Sequence, residues 1–509
     1  MRLIHFTLCL SFAIFVLSNN PPRRHVTANK ERQKLTDKQT KVLKKASPSG
    51  LAARKEQIAR LAEKAAKQAE EEAKQAGTVQ AQEGISVNGD SEVESYAQSV
   101  ANLTSDNSQA SIADVNACSE ISDYLIGDMM LTEQQLNAIE QSLDDNSNDT
   151  SSRTKRQIDI TTNRWAADTV YYYFAANVPT YTRQVTQLAM QYIQQRTCIK
   201  FVANANAKNR IKIIINGGGC WSYVGMLGGE QELSLEAGCD YVGIASHEIL
   251  HAIGFQHEHQ RPDRDSYIKV DLTYVPQANR PNFVKYSTNY VKNYMGYDMG
   301  SVMQYEGNAF TNPTNKLSML TPAYPQYQRT LGSHVTEFTD LKILNAHYGC
   351  VAKKCPNSKF TCHNAGYPNP ANCNACNCPL GYAGTFCGSR PNDGGANLAA
   401  TTAWKTQVIR VGNPNNANER PQFTFKTYWV TAPAGKRIQV KVTKMYGNQC
   451  NFGCIYSFIE IKQNTQFTGP RLCCPENINQ VITSSLNPLP LVSANRFVYT
   501  DFTIQYRYI

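Results

Sequence analysis

The feature that most restricts how this chain can fold is a cluster of histidines within residues 246–265. His247 and His251 are four residues apart, so on a helix they project from the same face. Two neutral imidazoles one turn apart can bind one zinc ion. Gly254 can adopt the left-handed conformation that ends such a helix, after which the chain turns back and delivers His257. The spacing therefore predicts a zinc site whose ligands are His247, His251 and His257.

A candidate acid–base group accompanies these ligands. Glu248 directly follows the first histidine and is predicted to face the same cleft, where it can polarise a metal-bound water and carry its proton to the leaving amine. The short pattern of two histidines and a glutamate also occurs by chance in proteins where it is merely structural. The glycine and the third histidine at the extended spacing make chance improbable, which favours a zinc hydrolase.

The length and the cysteines indicate several extracellular domains. A chain of 509 residues is too long for one compact domain, and most of its 16 cysteines lie in the second half. Residues 1–18 contain an apolar stretch behind Arg2 and are typical of a secretory signal peptide. The alternative, a membrane anchor, needs an apolar span of ~20 residues. We therefore expect a secreted, disulfide-bonded protein with no membrane span after removal of the signal.

Residues 19–156 are predicted to form an N-terminal low-complexity propeptide. Its first part, 21–80, is basic and rich in Lys, Ala, Gln and Glu; it lacks large apolar side chains and is expected to be a lone helix or disordered. Its second part, 81–150, has 14 acidic residues and no lysine or arginine. A dibasic sequence ending at Arg156 precedes the first globular segment, which predicts processing that makes Gln157 the new N-terminus.

Charge and modification sequences bear on possible partners. The net charge of +10 conceals a balance of −14 in residues 81–150 and +12 in residues 157–509. A nucleic-acid partner would need a basic stripe on a suitable reader fold, and the secretory signal argues against one. Two interpretations of the basic region stay open: it meets an acidic extracellular surface, polymer or leader segment, or it is simply solvated. Asn102 and Asn148 are acceptors for N-glycosylation.

Three globular segments are predicted after the propeptide, residues 19–156, which we call the leader. Helix and strand patterns alternate over residues 157–350, which predicts an α+β domain around the histidine cluster. Residues 351–388 contain six cysteines in a segment too small to bury a core, so disulfides rather than zinc are expected to hold it. Residues 396–509 alternate apolar and polar side chains, which predicts an all-β sandwich. Its four cysteines would form two bridges, Cys450 and Cys454 with Cys473 and Cys474, in an order that the sequence leaves open.

Residues 165–350 resemble the astacin family of zinc endopeptidases, which belongs to the metzincins. Besides the zinc motif, the resemblance rests on four short segments: 197–201, 219–225, 228–231 and 238–239. The six-cysteine segment is similar to an EGF-like domain, and the C-terminal segment is similar to a CUB domain. This order of modules is typical of nematode astacins. The resemblance implies a metzincin catalytic fold with the zinc cleft between two subdomains.

The resemblance also implies roles for residues outside the zinc motif. Met303 would form the methionine turn beneath the zinc. Tyr305 would be an additional ligand at rest and could swing to stabilise the oxyanion. Gln304 replaces the family's usual histidine before that tyrosine. The implied disulfides are Cys198–Cys350 and Cys220–Cys239 in the catalytic domain, and Cys355–Cys373, Cys362–Cys376 and Cys378–Cys387 in the EGF-like domain.

Latency is a further implication of the resemblance. Astacin propeptides place an aspartate that follows a glycine where the catalytic water would bind zinc, and Asp128 after Gly127 matches this pair. The thiol of Cys118, left over after the bridges named above, is the competing zinc-blocking ligand, although the local pattern favours Asp128. After processing, the new α-amino group of Gln157 is implied to reach Glu258, which directly follows the third zinc ligand.

The predicted function is a secreted zinc-dependent endopeptidase that hydrolyses peptide bonds of extracellular proteins by a metal-activated water. It would hold one zinc ion per subunit, be made as a latent zymogen and be activated by another protease. Matrix, cuticle or egg-envelope proteins are family-level substrate candidates. One alternative is an adhesion or matrix-binding protein that uses its EGF and CUB modules; intact Glu248 argues against it. The other is a zinc amidase of non-peptide substrates; a wide cleft with a peptide-binding edge strand near residues 221–235 would argue against it.

Overall fold

A computed structural model describes residues 32–82, 111–144, 158–159, 162–416, 418–465 and 467–509 of the chain. The predicted signal peptide 1–18, the glycosylation acceptors Asn102 and Asn148, and the processing site at Arg156 and Gln157 lie outside the described residues. Within the described ranges, no helix is both long enough and apolar enough to cross a membrane.

The leader packs onto the domain that contains the histidines. Its helices are Asp37–Ala46, Leu51–Gln82, Ile112–Ala117 and Glu133–Asp144. Ile58, Leu61 and Ala65 lie on one face of the long helix and share a core with Val284 and Tyr290 of the following domain. The expectation that residues 21–80 are a lone helix or disordered is therefore wrong over the described part. The few large apolar side chains suffice because they follow a helical stripe, and the next domain covers that stripe.

Several acidic residues of the leader pair with basic residues of the same leader. These ion pairs join Asp123 to Arg32 and Lys55, Glu140 to Arg60, and Asp144 to Lys64, at distances of 2.5–3.3 Å. One ion pair between the leader and the following domain joins a basic leader residue to an acidic partner, because Lys38 lies 3.8 Å from Glu232. This is the reverse of an acidic leader segment on a basic domain, which was one of the two open interpretations. The two oppositely charged halves of the leader thus neutralise each other at these described positions.

The domain that contains the histidines is built on a six-stranded sheet. The strands, in spatial order, are Met129–Met130, Cys220–Tyr223, Glu230–Leu235, Arg210–Ile214, Thr169–Phe174 and Lys200–Ala203. The first of them belongs to the leader and pairs in parallel with the edge strand Cys220–Tyr223, which itself runs antiparallel to its other neighbour. Two small ladders pair Ile158–Asp159 with Val291–Lys292 and Lys269–Val270 with Met319–Leu320.

Helices complete this domain and enclose its core. They are Thr180–Gln194, Val242–Ala252, Phe338–Tyr348 and Cys350–Lys354. Apolar side chains recur at Val185, Ala189 and Ile193 along the first of these helices and are buried in the core that it shares with the second. The 3₁₀ helices of the described chain are Glu120–Tyr124, Ala166–Asp168, Glu258–Gln260, Arg264–Ser266, Gln277–Phe283, Pro325–Tyr327, Phe452–Cys454 and Pro475–Asn477.

The C-terminal part consists of a small hairpin module and a β-sandwich. The hairpin pairs Tyr367–Asn369 with Asn372–Asn377. One sheet of the sandwich contains Asn397–Ala399, Glu419–Thr431, Leu489–Phe497, Ser457–Ile461 and Arg471–Leu472. The other contains Lys405–Gly412, Tyr499–Tyr508, Ile438–Tyr446 and Ile482–Ser484. Alternate side chains such as Ile438, Val440 and Val442 point between the sheets and are fully buried, as their period of two requires.

Seven disulfides join cysteines of the described ranges. The bridges are Cys198–Cys350, Cys220–Cys239, Cys355–Cys373, Cys362–Cys376, Cys378–Cys387, Cys450–Cys474 and Cys454–Cys473. The first five have the partners that the family resemblance implies. The last two give the order within the sandwich that the sequence left open. Cys118 lies outside these seven bridges.

Candidate active site

The helix Val242–Ala252 carries two of the three histidines and the adjacent glutamate. Every residue from Gly243 to Ala252 is buried, because the core surrounds the helix on all sides. Its first turn packs so closely that a Cβ on Gly243 would lie 2.1 Å from the carbonyl oxygen of His334. The chain leaves the helix at Gly254, whose φ of +113° is in the left-handed region that glycine adopts readily.

The outward nitrogen of each histidine ring is held by an acceptor. His247 Nδ1 lies 2.6 Å from the carbonyl oxygen of Val302, and His251 Nδ1 lies 2.8 Å from that of Phe255. His257 Nδ1 lies 3.2 Å from the side-chain oxygen of Gln260. An acceptor at Nδ1 assigns the hydrogen to that nitrogen, which leaves the lone pair on Nε2. All three Nε2 atoms are therefore prepared to bind a metal.

The three Nε2 atoms converge on one buried carboxylate from the leader. His251 Nε2 lies 3.0 Å from that of His247 and 3.2 Å from that of His257. The oxygens of Asp128 lie 3.1, 3.0 and 2.9 Å from Nε2 of His247, His251 and His257, respectively. Asp128 is fully buried. A residue of the leader thus lies at the centre of the histidine cluster.

The donor set and its spacing fit a zinc ion. The four side chains form a group that can hold a metal, with ligand atoms within 4.8 Å of one another. Tetrahedral zinc with ~2.0–2.1 Å bonds to nitrogen separates its nitrogen ligands by ~3.3 Å, close to the spacing of these Nε2 atoms. Burial lowers the pKa of His251 to about 4, although Asp128 opposes the shift. The imidazole is therefore in the neutral form that binds metals.

Comparison with known proteins also indicates a zinc enzyme. Residues 157–349 match the model of the peptidase family described as Astacin. The chain is 37% identical over 388 residues to "Zinc metalloproteinase nas-17" of Caenorhabditis elegans, covering 75% of this chain and 86% of that protein. The chain belongs to the astacin family. The matched segment is a zinc metalloendopeptidase domain.

Two further similarities have different coverage. "Zinc metalloproteinase nas-32" of Caenorhabditis elegans is 38% identical over 403 residues, which is 78% of this chain but 60% of that longer protein. High choriolytic enzyme 1, a hatching enzyme zinc-protease from Oryzias latipes, is a solved structure with 30% identity and a TM-score of 0.34. The latter match covers 37% of this chain and 94% of that one.

In this astacin, Glu248 and Tyr305 flank the histidine cluster. Both carboxylate oxygens of Glu248 are buried and accept no hydrogen bond from the described residues. Burial raises the pKa of Glu248 well above its usual range, and the neighbouring Asp128 raises it further. The Tyr305 ring lies 4.5 Å, centroid to centroid, from that of His257. A carboxylate without a partner inside such a site is a candidate for proton transfer.

The pKa of Asp128 is shifted in the opposite direction from that of Glu248. Burial alone would raise the pKa of its carboxyl group, but positive charge held among the three surrounding histidines outweighs burial and holds the pKa well below its usual range. A zinc ion bound to the neutral imidazoles would supply that positive charge. Asp128 is therefore an anion in the cluster, the form in which a carboxylate binds a metal.

Met303 lies in a turn next to the cluster. Its carbonyl oxygen accepts from the N–H of Glu258 at 2.9 Å, and its own N–H donates to Ser301 Oγ at 3.1 Å. Gln304 donates to the carbonyl oxygen of Tyr305 at 2.9 Å, so its amide is engaged with the backbone rather than with the histidines. The side chain of Met303 packs within the domain core.

The leader approaches the site through a backbone stretch that needs glycine. Gly127 has a φ of +67°, and a Cβ at this position would lie 2.8 Å from the Tyr305 hydroxyl oxygen and 3.0 Å from Cε1 of His257. The N–H of Gly127 donates to Asn282 Oδ1 at 2.7 Å. Met129 and Met130 then pair with the edge strand Cys220–Tyr223. Sequence reasoning missed Asn282, because its partner is 155 residues away and no local pattern marks it.

Two other predicted residues occupy different surroundings. The thiol of Cys118 lies near the carbonyl oxygen of Asp114, at 3.6 Å, outside the group formed by Asp128 and the histidines. Glu258 is buried, and its Oε1 accepts from Arg261 at 3.1 Å and from the N–H of Asp298 at 2.8 Å. Its expected partner, Gln157, lies outside the described residues.

Proposed function

We propose that this chain is a secreted zinc endopeptidase made as a latent precursor, in which Asp128 blocks the zinc site until the leader is cut near Arg156. One observation carries the latency: the Asp128 carboxylate lies within 3.1 Å of all three Nε2 atoms, although it precedes His251 by 123 residues. A carboxylate in that position excludes the water that hydrolysis requires.

The residues of the mature site have distinct roles in this proposal. His247, His251 and His257 are the ligands of one zinc ion, which when bound supplies a Lewis acid for water and for the substrate carbonyl. Glu248 takes a proton from the water and delivers it to the leaving amine. The hydroxyl group of Tyr305 donates a hydrogen bond to the oxyanion. The methionine turn at Met303 supports the floor of the site.

The leader blocks the substrate path as well as the zinc. An extended peptide can bind by adding a strand to a free sheet edge. Here that edge, Cys220–Tyr223, is taken by Met129–Met130. Arg54, which is 1% exposed, donates to the carbonyl oxygens of Tyr124 and Leu131 at 2.8 Å each. These two residues bracket the Asp128 segment, so the long helix of the leader holds it from outside the cleft.

Activation would free the cleft and create a new terminus. Cleavage after Arg156 separates the leader from the domain that begins at Gln157, and the new α-amino group is proposed to bind Glu258 directly or through water. Glu258 already accepts two hydrogen bonds from donors in the site floor, which supports a role as a structural anion there. The implied partner is an activating protease that cleaves after basic residues.

The remaining segments support extracellular action on proteins. We assign 1–18 to the signal peptide, 19–156 to the propeptide, 157–350 to the peptidase, 351–388 to an EGF-like domain and 396–509 to a CUB domain. Seven disulfides are consistent with an oxidising compartment. Matrix, cuticle or egg-envelope proteins are the proposed substrates. Sequencing the new N-termini that the mature enzyme produces in a mixture of secreted proteins identifies its substrates and its cleavage preference.

The catalytic assignment is tested by Glu248→Gln in the mature enzyme. The amide keeps the size of the side chain but cannot accept the proton, so we expect zinc near one equivalent per chain and turnover lower by at least ~10². Glu419→Gln, the same change at a partly exposed site in the sandwich, is the control and should retain full activity. Undiminished proteolysis by the zinc-loaded Glu248→Gln enzyme would refute the assignment.

A further inference from the structure

The C-terminal β-sandwich packs directly against the part of the peptidase that supports the histidines. A Cβ on Gly300 would lie 2.3 Å from Cγ2 of Thr468, and a Cβ on Gly453 would lie 2.1 Å from the carbonyl oxygen of Gly332. The rings of Phe338 and Phe467 stack with centroids 5.8 Å apart. Contact at this density transmits displacement from one domain to the other.

A first chain of hydrogen bonds runs from the sandwich to Glu258. Thr468 Oγ1 donates to Asp298 Oδ2 at 3.0 Å. The other carboxylate oxygen of Asp298 accepts from the N–H of Gly300 at 2.9 Å, and the N–H of Asp298 donates to Glu258 Oε1 at 2.8 Å. Asp298 is 6% exposed, so its carboxylate needs these donors together with Thr339 Oγ1 of the peptidase, which donates to the same oxygen as Thr468. A hydroxyl group of the sandwich therefore helps to hold the residue next to the third histidine.

A second chain reaches the first histidine. Arg471 of the sandwich is fully buried and pairs with Glu337 of the peptidase and with Glu460 of its own domain. The N–H of Glu337 donates to Asp340 Oδ2 at 2.8 Å, and the same oxygen accepts from the N–H of Val302 at 3.2 Å.

The second chain ends on His247 through Val302. Asp340 Oδ1 accepts from Ser301 Oγ at 2.6 Å, which holds the residue before Val302. The carbonyl oxygen of Val302 is the acceptor for His247 Nδ1. Both chains thus pass through residues 298–303, which form the methionine turn.

We propose that the β-sandwich helps to hold the zinc site of the peptidase in place. Thr468 and Arg471 are positioning residues that fix the methionine turn and, through it, His247 and Glu258. The acceptors around a metal-binding imidazole set its orientation and its affinity for the metal. Loss of a donor to buried Asp298 shifts the turn, because an under-compensated carboxylate seeks new partners. The inference rests on the proposed zinc ligands.

The test compares variants of the zinc-loaded mature enzyme. Thr468→Val removes the hydroxyl group and keeps the branched shape; Thr468→Ala removes it in a smaller residue; Thr468→Ser retains it. Gln463→Ala is the interface control, since Gln463 accepts a hydrogen bond from Gln326 across the same boundary at 3.0 Å but is uncharged and is not part of either chain of hydrogen bonds. The measurements are zinc release into a chelator, kcat and KM on one peptide, and zinc content.

We expect Thr468→Val and Thr468→Ala to release zinc about ten-fold faster than the wild type. They should have a lower kcat, with KM within about two-fold, because the substrate edge is unchanged. Thr468→Ser and Gln463→Ala should match the wild type. Wild-type zinc release and kcat in the variants without the hydroxyl group would overturn the inference, as would equal losses in Gln463→Ala. A wild-type enzyme without zinc would refute the ligand assignment itself, and the zinc content distinguishes that failure from the others.

Discussion

Replacing Gly127 by alanine tests whether close backbone approach holds the leader in the cleft. The added methyl group would start 2.8 Å from the hydroxyl oxygen of Tyr305 and 3.0 Å from Cε1 of His257. Both neighbours are buried, and His257 is held from behind by Gln260. Neither can move away without disturbing the site, so we expect the leader to shift instead.

The size of the effect follows from two contributions. The left-handed conformation at φ +67° costs an alanine ~1 kcal/mol more than a glycine. Forcing a methyl group into a packed site costs ~1–3 kcal/mol. A total of about 3 kcal/mol raises the undocked fraction of the leader by about 10²-fold, since each ~1.4 kcal/mol is a factor of ten.

The assay is the residual peptidase activity of a precursor that cannot be processed because it contains Arg156→Ala. Gly50→Ala is the matched control: Gly50 is also in the leader, has a φ of +100° and has nothing within 4 Å of the point where its Cβ would lie. We expect the activity to rise about 10²-fold for Gly127→Ala and less than ~10-fold for Gly50→Ala, in which only the conformational cost applies.

Two results would refute this reasoning. Unchanged residual activity in Gly127→Ala would mean that the leader is not held by close contact at this position. Equal increases in both variants would mean that backbone strain alone, rather than the neighbours Tyr305 and His257, opens the cleft. With the native processing site restored, all mature enzymes are identical because the leader is gone, so their kcat/KM values must agree.

Three further predictions concern the leader and the new terminus. An unprocessed Asp128→Ala precursor should hydrolyse peptides whereas Cys118→Ser stays latent; the reverse result would make the thiol the blocking ligand. Added leader should inhibit mature enzyme about equally at ~0.05 M and ~1 M salt, because its described charges pair internally; strong weakening by salt would contradict this. One extra residue before Gln157 should weaken the contact between the new α-amino group and Glu258, and should lower Tm by ~2–4 °C for each kcal/mol of stability lost. Cyclisation of Gln157 to pyroglutamate should lower Tm less. Equal Tm values for all forms would exclude a buried amine.

The sequence was most informative where the chemistry is local. His247, His251 and His257 lie within eleven residues, and helix geometry with one glycine brings them together without help from distant segments. The helix and strand patterns of residues 157–350 likewise predicted an α+β domain. Its strands Thr169–Phe174 and Arg210–Ile214 follow such a pattern, because a strand in a sheet buries one face at a period of two. Such patterns depend only on residues that are close together in the sequence.

The docking of the leader could not be derived in the same way. Ile58, Leu61 and Ala65 form a helical stripe that is visible in the sequence, but the surface that covers it includes residues more than 200 positions later. Composition suggested a lone helix or disorder because it counts apolar side chains and does not identify their partners. Arg54 is an example: it can be buried because distant carbonyl oxygens accept its hydrogen bonds, and no local sequence pattern predicts those acceptors.

Spacing and side-chain type were enough to predict the zinc ligands, the acid–base glutamate and the class of each domain. What surrounds these residues emerged only from the packing of the folded chain: Asn282 in contact with Gly127, Asp340 behind the turn that contains Met303, and Thr468 in contact with Asp298. These contacts join segments that are 38 to 170 residues apart. Their geometry arises only when separate segments and domains pack, because a hydrogen bond across such a distance leaves no periodic trace in the chain.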